Sequence, residues 1–153
     1  MCGTLALRRD GKLLEERELE QSRRRHAQTL ISEVHELLQA HDLTSKDVGI
    51  VAASHGPGSF TGLRVGIVFA KTFAYATGCR IVAVNTLQAV ADAATGDEFA
   101  EITRLQVVSD AQREQLFVSD FHRTAGGLWQ SAGPIDIVDC EAWLNHVTCH
   151  SRR

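Results

Sequence analysis

A glycine-rich loop between two apolar segments constrains the fold of this chain more than any other feature. Three glycines and one proline fall within nine residues, Gly56-Pro57-Gly58-Ser59-Phe60-Thr61-Gly62-Leu63-Arg64. The apolar run over residues 48–53 predicts a strand buried on both faces, and the pattern over residues 63–77 predicts a helix. A strand, a glycine loop and a helix in this order are typical of α/β proteins. There the loop presents backbone N–H groups to an anion or seats the helix against a sheet.

The loop fits neither of the common phosphate-binding motifs. Thr61 stands where the patterns G-x-x-x-x-G-K-[ST] and G-x-G-x-x-G both require a glycine. Two interpretations therefore remain open, an anion-binding loop and a tight turn that only positions the helix. In the first, the candidate ligand residues are Gly56, Gly58, Ser59, Thr61, Gly62 and Arg64. In both, Ser59 or Thr61 caps the start of the helix, and Gly78 suits its C-terminal end.

The rest of the pattern predicts alternating strands and helices. Asp10-Gly11 lies between two strand-like runs and is typical of a hairpin, since both turn residues must tolerate positive φ. The other predicted elements are strands over 4–7 and 12–18, a helix over 26–40, a strand over 80–84, a helix over 87–94, strands over 105–109 and 115–121, a loop over 122–134, a strand over 135–138 and a helix capped by Asp139. This order predicts a mixed sheet with helices on its faces.

The helix after the loop carries a small residue at every fourth position. These residues are Gly62, Gly66, Ala70, Ala74 and Gly78. A face of small residues allows another backbone to approach closely, either within the chain or from a second chain, and both alternatives stay open. Because the helix is apolar nearly all round, we expect it to be buried on more than one side.

Composition narrows the class of protein. Charged residues make up 23% of the 153 and the formal net charge is −3, which predicts no strong general attraction to nucleic acid. Lys71 interrupts the longest apolar stretch, so no membrane-spanning segment is predicted. Four widely spaced cysteines and the absence of a signal-peptide pattern predict reduced thiols and a cytoplasmic location.

No local pattern identifies catalytic, metal-binding or cofactor-binding residues. Seven histidines are present, but none belongs to an H-E-x-x-H motif, and no zinc site is predicted. Ser54, Ser59 and Thr61 lie near the loop, but none occupies the nucleophile position of G-x-S-x-G. We therefore predict no catalytic residue, no metal and no cofactor.

Several segments resemble the TsaB (YeaZ) family. They are residues 10–16, 26–30, 56–64 and 71–76, together with Asn85-Thr86-Leu87 and Asp110-Ala111. The resemblance implies an actin-like ATPase or RNase H-type fold of the sugar kinase/Hsp70 superfamily, an α/β arrangement in which helices flank a mixed sheet. It also implies two lobes, a first over residues 1–94 and a partial second over residues 95–153.

This chain departs from the family pattern at both ends. The family begins with a strand that carries an Asp-Thr-Ser-like turn, and usually continues further at its C-terminus. We expect the first lobe to lack that strand and the second lobe to be incomplete. Because active relatives use the aspartate of that turn near nucleotide phosphates, the resemblance implies no ATP binding here.

The resemblance also implies a role in tRNA modification. It implies a non-catalytic subunit that serves as scaffold and activator of TsaD, which transfers threonylcarbamoyl from threonylcarbamoyl-AMP to the tRNA adenosine next to the anticodon. TsaE joins this complex, and tRNA is contacted only through it. TsaD, or a second copy of the chain, would bind helices 26–40 and 62–77 at Leu30, Val34, Gly66, Ala70, Phe73 and Ala74. The alternative is a nucleotide-binding enzyme or an M22 glycopeptidase-like protein that uses the glycine-rich loop.

Overall fold

The computed structural model describes residues 3–19 and 26–150. Within these two ranges, strands and helices follow one another largely in the predicted order. The elements are β1 (Gly3–Arg9), β2 (Lys12–Leu19), α1 (His26–Gln39), β3 (Ile50–Gly56), α2 (Phe60–Thr77), β4 (Arg80–Asn85), α3 (Thr86–Ala93), β5 (Arg104–Gln112), β6 (Gln115–Arg123), β7 (Trp129–Ser131), β8 (Asp136–Asp139) and α4 (Cys140–His150).

The chain divides into two compact units, which are described separately. The first comprises the described residues of Met1–Ser54 and Ser59–Ala83, and the second comprises those of His55–Gly58 and Val84–Arg153. The two lobes implied by the resemblance, residues 1–94 and 95–153, stay a prediction.

The first unit begins with the predicted hairpin. Strands β1 and β2 pair antiparallel, with Gly3 opposite Leu19. The turn residues Asp10 and Gly11 have φ values of 52° and 77°. Both therefore have the positive φ that a two-residue hairpin turn requires. The hairpin prediction is confirmed.

Helix α1 covers this hairpin and also contacts α2. It buries Leu30, Leu37 and Leu38, which share one face of the helix. The predicted helix over residues 26–40 is therefore confirmed.

Strands β3 and β4 form a separate two-stranded sheet, and α2 connects them. The N–H of Arg80 donates to the carbonyl of Gly49 (3.0 Å), so the two strands begin at the same end and run parallel. Both strands were predicted, but β3 continues to Gly56. The predicted burial of the first strand on both faces is wrong, because Ile50 on β3 is exposed. Strands of one sheet pair edge to edge, so a face is buried only where a helix or another sheet lies on it.

The predicted α/β class is confirmed, because parallel and antiparallel strand pairs alternate with helices among the described residues. These residues do not, however, form a single sheet. Their strands form three separate sheets, namely β1-β2, β3-β4 and a four-stranded antiparallel sheet of β5 to β8. In the last, β6 is central: it pairs with β5 along one edge and with β7 and β8 along the other.

The second unit has its core between α3 and this four-stranded sheet. The buried side chains are Leu87 and Ala91 from α3 with Val107, Phe121 and Trp129 from the sheet. Asn85 fixes the start of α3, since its Oδ1 accepts from the N–H of Leu87 (2.9 Å) and of Gln88 (3.2 Å). The predicted cap of the last helix is confirmed, because Asp139 Oδ1 accepts from the N–H of Ala142 (3.0 Å).

The predicted loop over residues 122–134 is wrong in part. Strand β6 continues to Arg123, and Trp129–Ser131 forms the short strand β7, which pairs with the end of β6. A strand of three residues, here between Gly127 and Gly133, is too short to show the alternation of apolar and polar residues that predicts a strand. The extended form of these three residues depends on pairing with β6 and on burial of the Trp129 ring, which is 5% exposed.

Candidate functional site

The glycine loop lies at the end of β3. Gly56 is buried, has a φ of 113° that favours glycine, and precedes Pro57 through a cis peptide bond. Gly56 and Gly58 belong to the second unit, whereas Ser59, Thr61, Gly62 and Arg64 belong to the first, at the start of α2. The assignment of these six residues to a ligand stays a prediction.

The start of α2 satisfies part of its own hydrogen-bonding capacity. Ser59, rather than Thr61, is the N-cap: its Oγ accepts from the N–H of Gly62 (3.4 Å) and its carbonyl accepts from the N–H of Leu63 (2.9 Å). At the other end, Gly78 has a φ of 76° and donates to the carbonyl of Ala74, so its predicted place is confirmed. Ser59 therefore serves the helix, and both interpretations of the loop, a turn that positions α2 and an anion-binding loop, stay predictions.

Helix α2 is one continuous helix, as predicted, but it is not buried on several sides. Its one buried residue is Ala70, which is 1% exposed. Of the other predicted contact residues, Leu30 is buried, and Val34, Gly66, Phe73 and Ala74 are half-buried. Helix α1 contacts α2 within the first unit, but a Cβ at Gly66 would meet no atom within 4 Å. Whether the face of small residues serves a contact within the chain or with a second chain therefore stays a prediction.

The opposite face of α2 is exposed and carries large apolar side chains. We call Phe60, Arg64, Val68, Lys71 and Tyr75 the α2 stripe, because their spacing of three or four residues places them on one helix face. Tyr75 is 93% exposed, Phe60 78% and Val68 56%. Sequence reasoning missed this face because it followed the small residues; the combination of aromatic and basic residues at helical spacing was the available signal.

The stripe has a positive charge. Arg64 and Lys71 are both exposed, and α2 has no acidic residue along its length. A surface of this kind combines apolar area with charges that attract an acidic partner.

The described residues offer no cluster suited to a metal ion. No three His, Cys, Asp or Glu side chains among them are placed to share one. The sequence argument overlooked one spacing, since His146 and His150 stand four residues apart on α4; the side chain of His150 lies outside the described part. None of the described helices is long and apolar enough to cross a membrane.

Comparison with known proteins identifies the relatives of this chain. A family model described as "TsaD: tRNA N6-adenosine threonylcarbamoyltransferase" matches residues 13–146. The tRNA threonylcarbamoyladenosine biosynthesis protein TsaB of Bacillus subtilis is 30% identical over 122 residues, which are 80% of this chain and 51% of that protein. TsaB of Escherichia coli is 30% identical over 129 residues, 84% of this chain and 52% of that protein.

A solved structure is similar to this chain in fold. It is a Pseudomonas aeruginosa protein described as similar to the peptidase YEAZ, with a TM-score of 0.73 and 27% identity over 89% of this chain and 61% of that one. The chain spans about half the length of the two TsaB proteins. The resemblance to TsaB (YeaZ) proteins is therefore confirmed, and the chain belongs to the TsaD family of tRNA N6-adenosine threonylcarbamoyltransferase.

Proposed function

We propose that this chain is a non-catalytic subunit in tRNA threonylcarbamoyladenosine biosynthesis, acting as a scaffold and activator of TsaD. Its family membership and its similarity to two TsaB proteins support the pathway. In this proposal TsaE joins the complex, and tRNA is reached only through it.

The observation that carries the subunit role is the α2 stripe. Tyr75 and Phe60 together expose two aromatic rings on one helix face. Aromatic side chains contribute strongly to protein–protein binding, and an exposed apolar face on a soluble chain marks a binding surface. Arg64 and Lys71 would speed association with an acidic surface of TsaD and help to set its orientation. A homodimer through α1 and α2 is the competing use of the same helices.

We further propose that the chain forms two lobes of an actin-like ATPase or RNase H-type fold, with the first lobe at residues 1–94 and the second at 95–153. These bounds differ from those of the compact units, since α3 belongs to the second unit. The TsaD-family match supports this, because residues 13–146 extend through both units. The similarity to the Pseudomonas structure supports it as well.

The test is association of the purified chain with TsaD from the same organism, followed by size-exclusion chromatography with light scattering. We expect a one-to-one complex and threonylcarbamoyl transfer that requires both proteins. Tyr75→Asp should weaken association at least tenfold, since it places a carboxylate in the stripe. Leu144→Asp on α4 is the matched control, because it also replaces an exposed apolar side chain on a helix with a carboxylate, but outside the stripe. Equal binding by the two variants would reject the stripe as the docking face.

The alternative function, a nucleotide-binding enzyme or M22 glycopeptidase-like protein using the glycine loop, has its own readout. Calorimetric titration with ATP and Mg²⁺ should give no saturable heat if the loop only positions α2. Saturable binding that Arg64→Ala removes, or peptide hydrolysis by the isolated chain, would favour the alternative.

A further inference from the structure

A cavity in the second unit lies between the end of α3 and the turn that joins β6 to β7. Its volume is about 330 Å³, and its walls include Gln88, Asp92, Thr95, Arg123, Leu128 and Trp129. This volume is at the lower end of the range for small-molecule sites, roughly 300–1,000 Å³. The cavity shares no residue with the glycine loop or the α2 stripe, so it is independent of the proposed function.

Hydrogen bonds between three segments hold the walls in place. The indole Nε1 of Trp129 donates to the carbonyl of Ala94 (3.2 Å). The side-chain amide of Gln88 donates to the carbonyl of Trp129 (2.8 Å) and to Oδ1 of Asp92 (3.0 Å). These bonds connect α3, the segment after it and β7, so the cavity is formed before any ligand enters.

Arg123 supplies the positive wall. Its guanidinium carbon lies 4.8 Å from the centre of the Trp129 ring, which fixes the plane of the group by stacking. Nη1 donates to the carbonyl of Ala100 (3.0 Å), and the buried Nε meets no hydrogen-bond acceptor within the described residues. Because an atom so enclosed is out of a ligand's reach, the guanidinium offers a ligand in the cavity its positive charge rather than a bidentate edge.

Asp92 places a negative charge on the same cavity. The ion pairs among the described residues include neither Asp92 nor Arg123, so the two charges do not neutralise each other directly. A phosphate dianion would gain from Arg123 but would be repelled by Asp92. A ligand with one carboxylate and one ammonium group satisfies both walls. We infer that this cavity binds a small zwitterion, a free α-amino acid, with its carboxylate on Arg123 and its ammonium group on Asp92.

Trp129 provides the measurement. The chain has two tryptophans, so Trp143→Phe leaves Trp129 as the only source of tryptophan fluorescence. Titration of this variant with L-alanine should give a saturable change in emission. Acetate lacks the ammonium group, ethylamine lacks the carboxylate, and inorganic phosphate carries excess negative charge. Each of the three should bind at least tenfold more weakly than L-alanine. Calorimetry on the unsubstituted chain repeats the comparison without any change at Trp143.

Two variants separate the zwitterion site from a simple anion site. Asp92→Asn keeps an acceptor for Gln88 and should weaken L-alanine binding about tenfold, while acetate should bind more tightly because the repulsion from the carboxylate is gone. Asp97→Asn is the matched control, since this exposed carboxylate lies outside the cavity, and it should change neither. The inference is overturned if L-alanine gives no saturable signal at about 10 mM, where a 1 mM site is mostly filled. It is also overturned if acetate or phosphate binds as tightly as L-alanine, or if Asp92→Asn has no effect.

Discussion

The imidazole Nε2 of His41 lies 2.8 Å from the carboxylate Oε2 of Glu15, although 26 residues separate them in the chain. Arg17 donates through Nε to the other oxygen of the same carboxylate, and its Nη1 lies 3.7 Å from Oε2 of Glu33. Glu15 and Arg17 belong to β2, Glu33 belongs to α1, and His41 follows α1. These four groups therefore fasten the hairpin to the helix that covers it.

The first prediction concerns stability in acid. The hydrogen bond from Arg17, followed by that from His41, holds the pKa of Glu15 below its usual value of 4.5. A carboxyl whose pKa is lowered by folding stabilises the folded state above its unfolded pKa, and that contribution disappears as the pH falls through the folded pKa. We expect the free energy of unfolding to fall below about pH 4.5, and Glu15→Gln to make this loss smaller. Urea titrations across the acid range measure it.

Glu16 provides the matched control for that experiment. It is the adjacent residue on β2 and is exposed. Glu16→Gln should leave the pH dependence close to that of the unsubstituted chain. If Glu15→Gln and Glu16→Gln give the same acid profile, the contacts of Glu15 with Arg17 and His41 do not contribute to stability.

The second prediction concerns the turn between β5 and β6. Gln112, Arg113 and Glu114 all have positive φ, with values of 65°, 53° and 63°. A residue other than glycine in this left-handed conformation lowers the free energy of unfolding by roughly 1–2 kcal/mol. Part of this cost is offset, because a residue with a side chain has less backbone entropy than glycine in the unfolded state. We expect Arg113→Gly to raise the free energy of unfolding by about 0.5–1 kcal/mol. Denaturant titration measures this, and Gln115→Gly, at the first residue of β6, should destabilise by about the same amount.

The sequence predicted those elements whose signals are local. Asp10-Gly11 marks a turn by its own φ requirement, and Ser59 and Gly78 mark the ends of α2 by their own chemistry. β7 could not be predicted, because the extended form of Trp129–Ser131 depends on pairing with a strand that ends several residues earlier.

Burial was harder to predict than secondary structure. An apolar helix such as α2 is buried on several sides only where other helices or sheets pack around it. Its own residue pattern does not indicate how many such elements there are. The same holds for Ile50 and Ile81, whose burial depends on whether a helix or another sheet lies on their face. The cavity beside Trp129 joins residues up to 41 positions apart, such as Gln88 and Trp129, and no spacing rule connects them.

The third prediction concerns the core of the second unit. Leu87 is 0% exposed and lies among Ala91, Val107 and Phe121. Leu87→Ala removes buried apolar volume and leaves a cavity, so we expect it to lower the free energy of unfolding by about 2–5 kcal/mol. Val90→Ala on the exposed side of α3 should change it by less than about 0.5 kcal/mol. Thermal and urea unfolding, followed by Trp129 fluorescence in the Trp143→Phe background, compare the two, and equal losses would mean that α3 does not pack as described.

The last prediction separates the two faces of α2. A methyl group added at Gly66 would meet no atom within 4 Å, so alanine fits there without a clash. Glycine inside a helix is less favourable than alanine by about 0.8–1.0 kcal/mol, and we expect Gly66→Ala to raise the free energy of unfolding by that amount. Because Gly66 lies away from the α2 stripe, binding to TsaD should not change. Weaker binding by this more stable variant would instead place a partner's backbone at the small residues, and the docking face would then be the one that contains Gly66 and Ala74 rather than Tyr75.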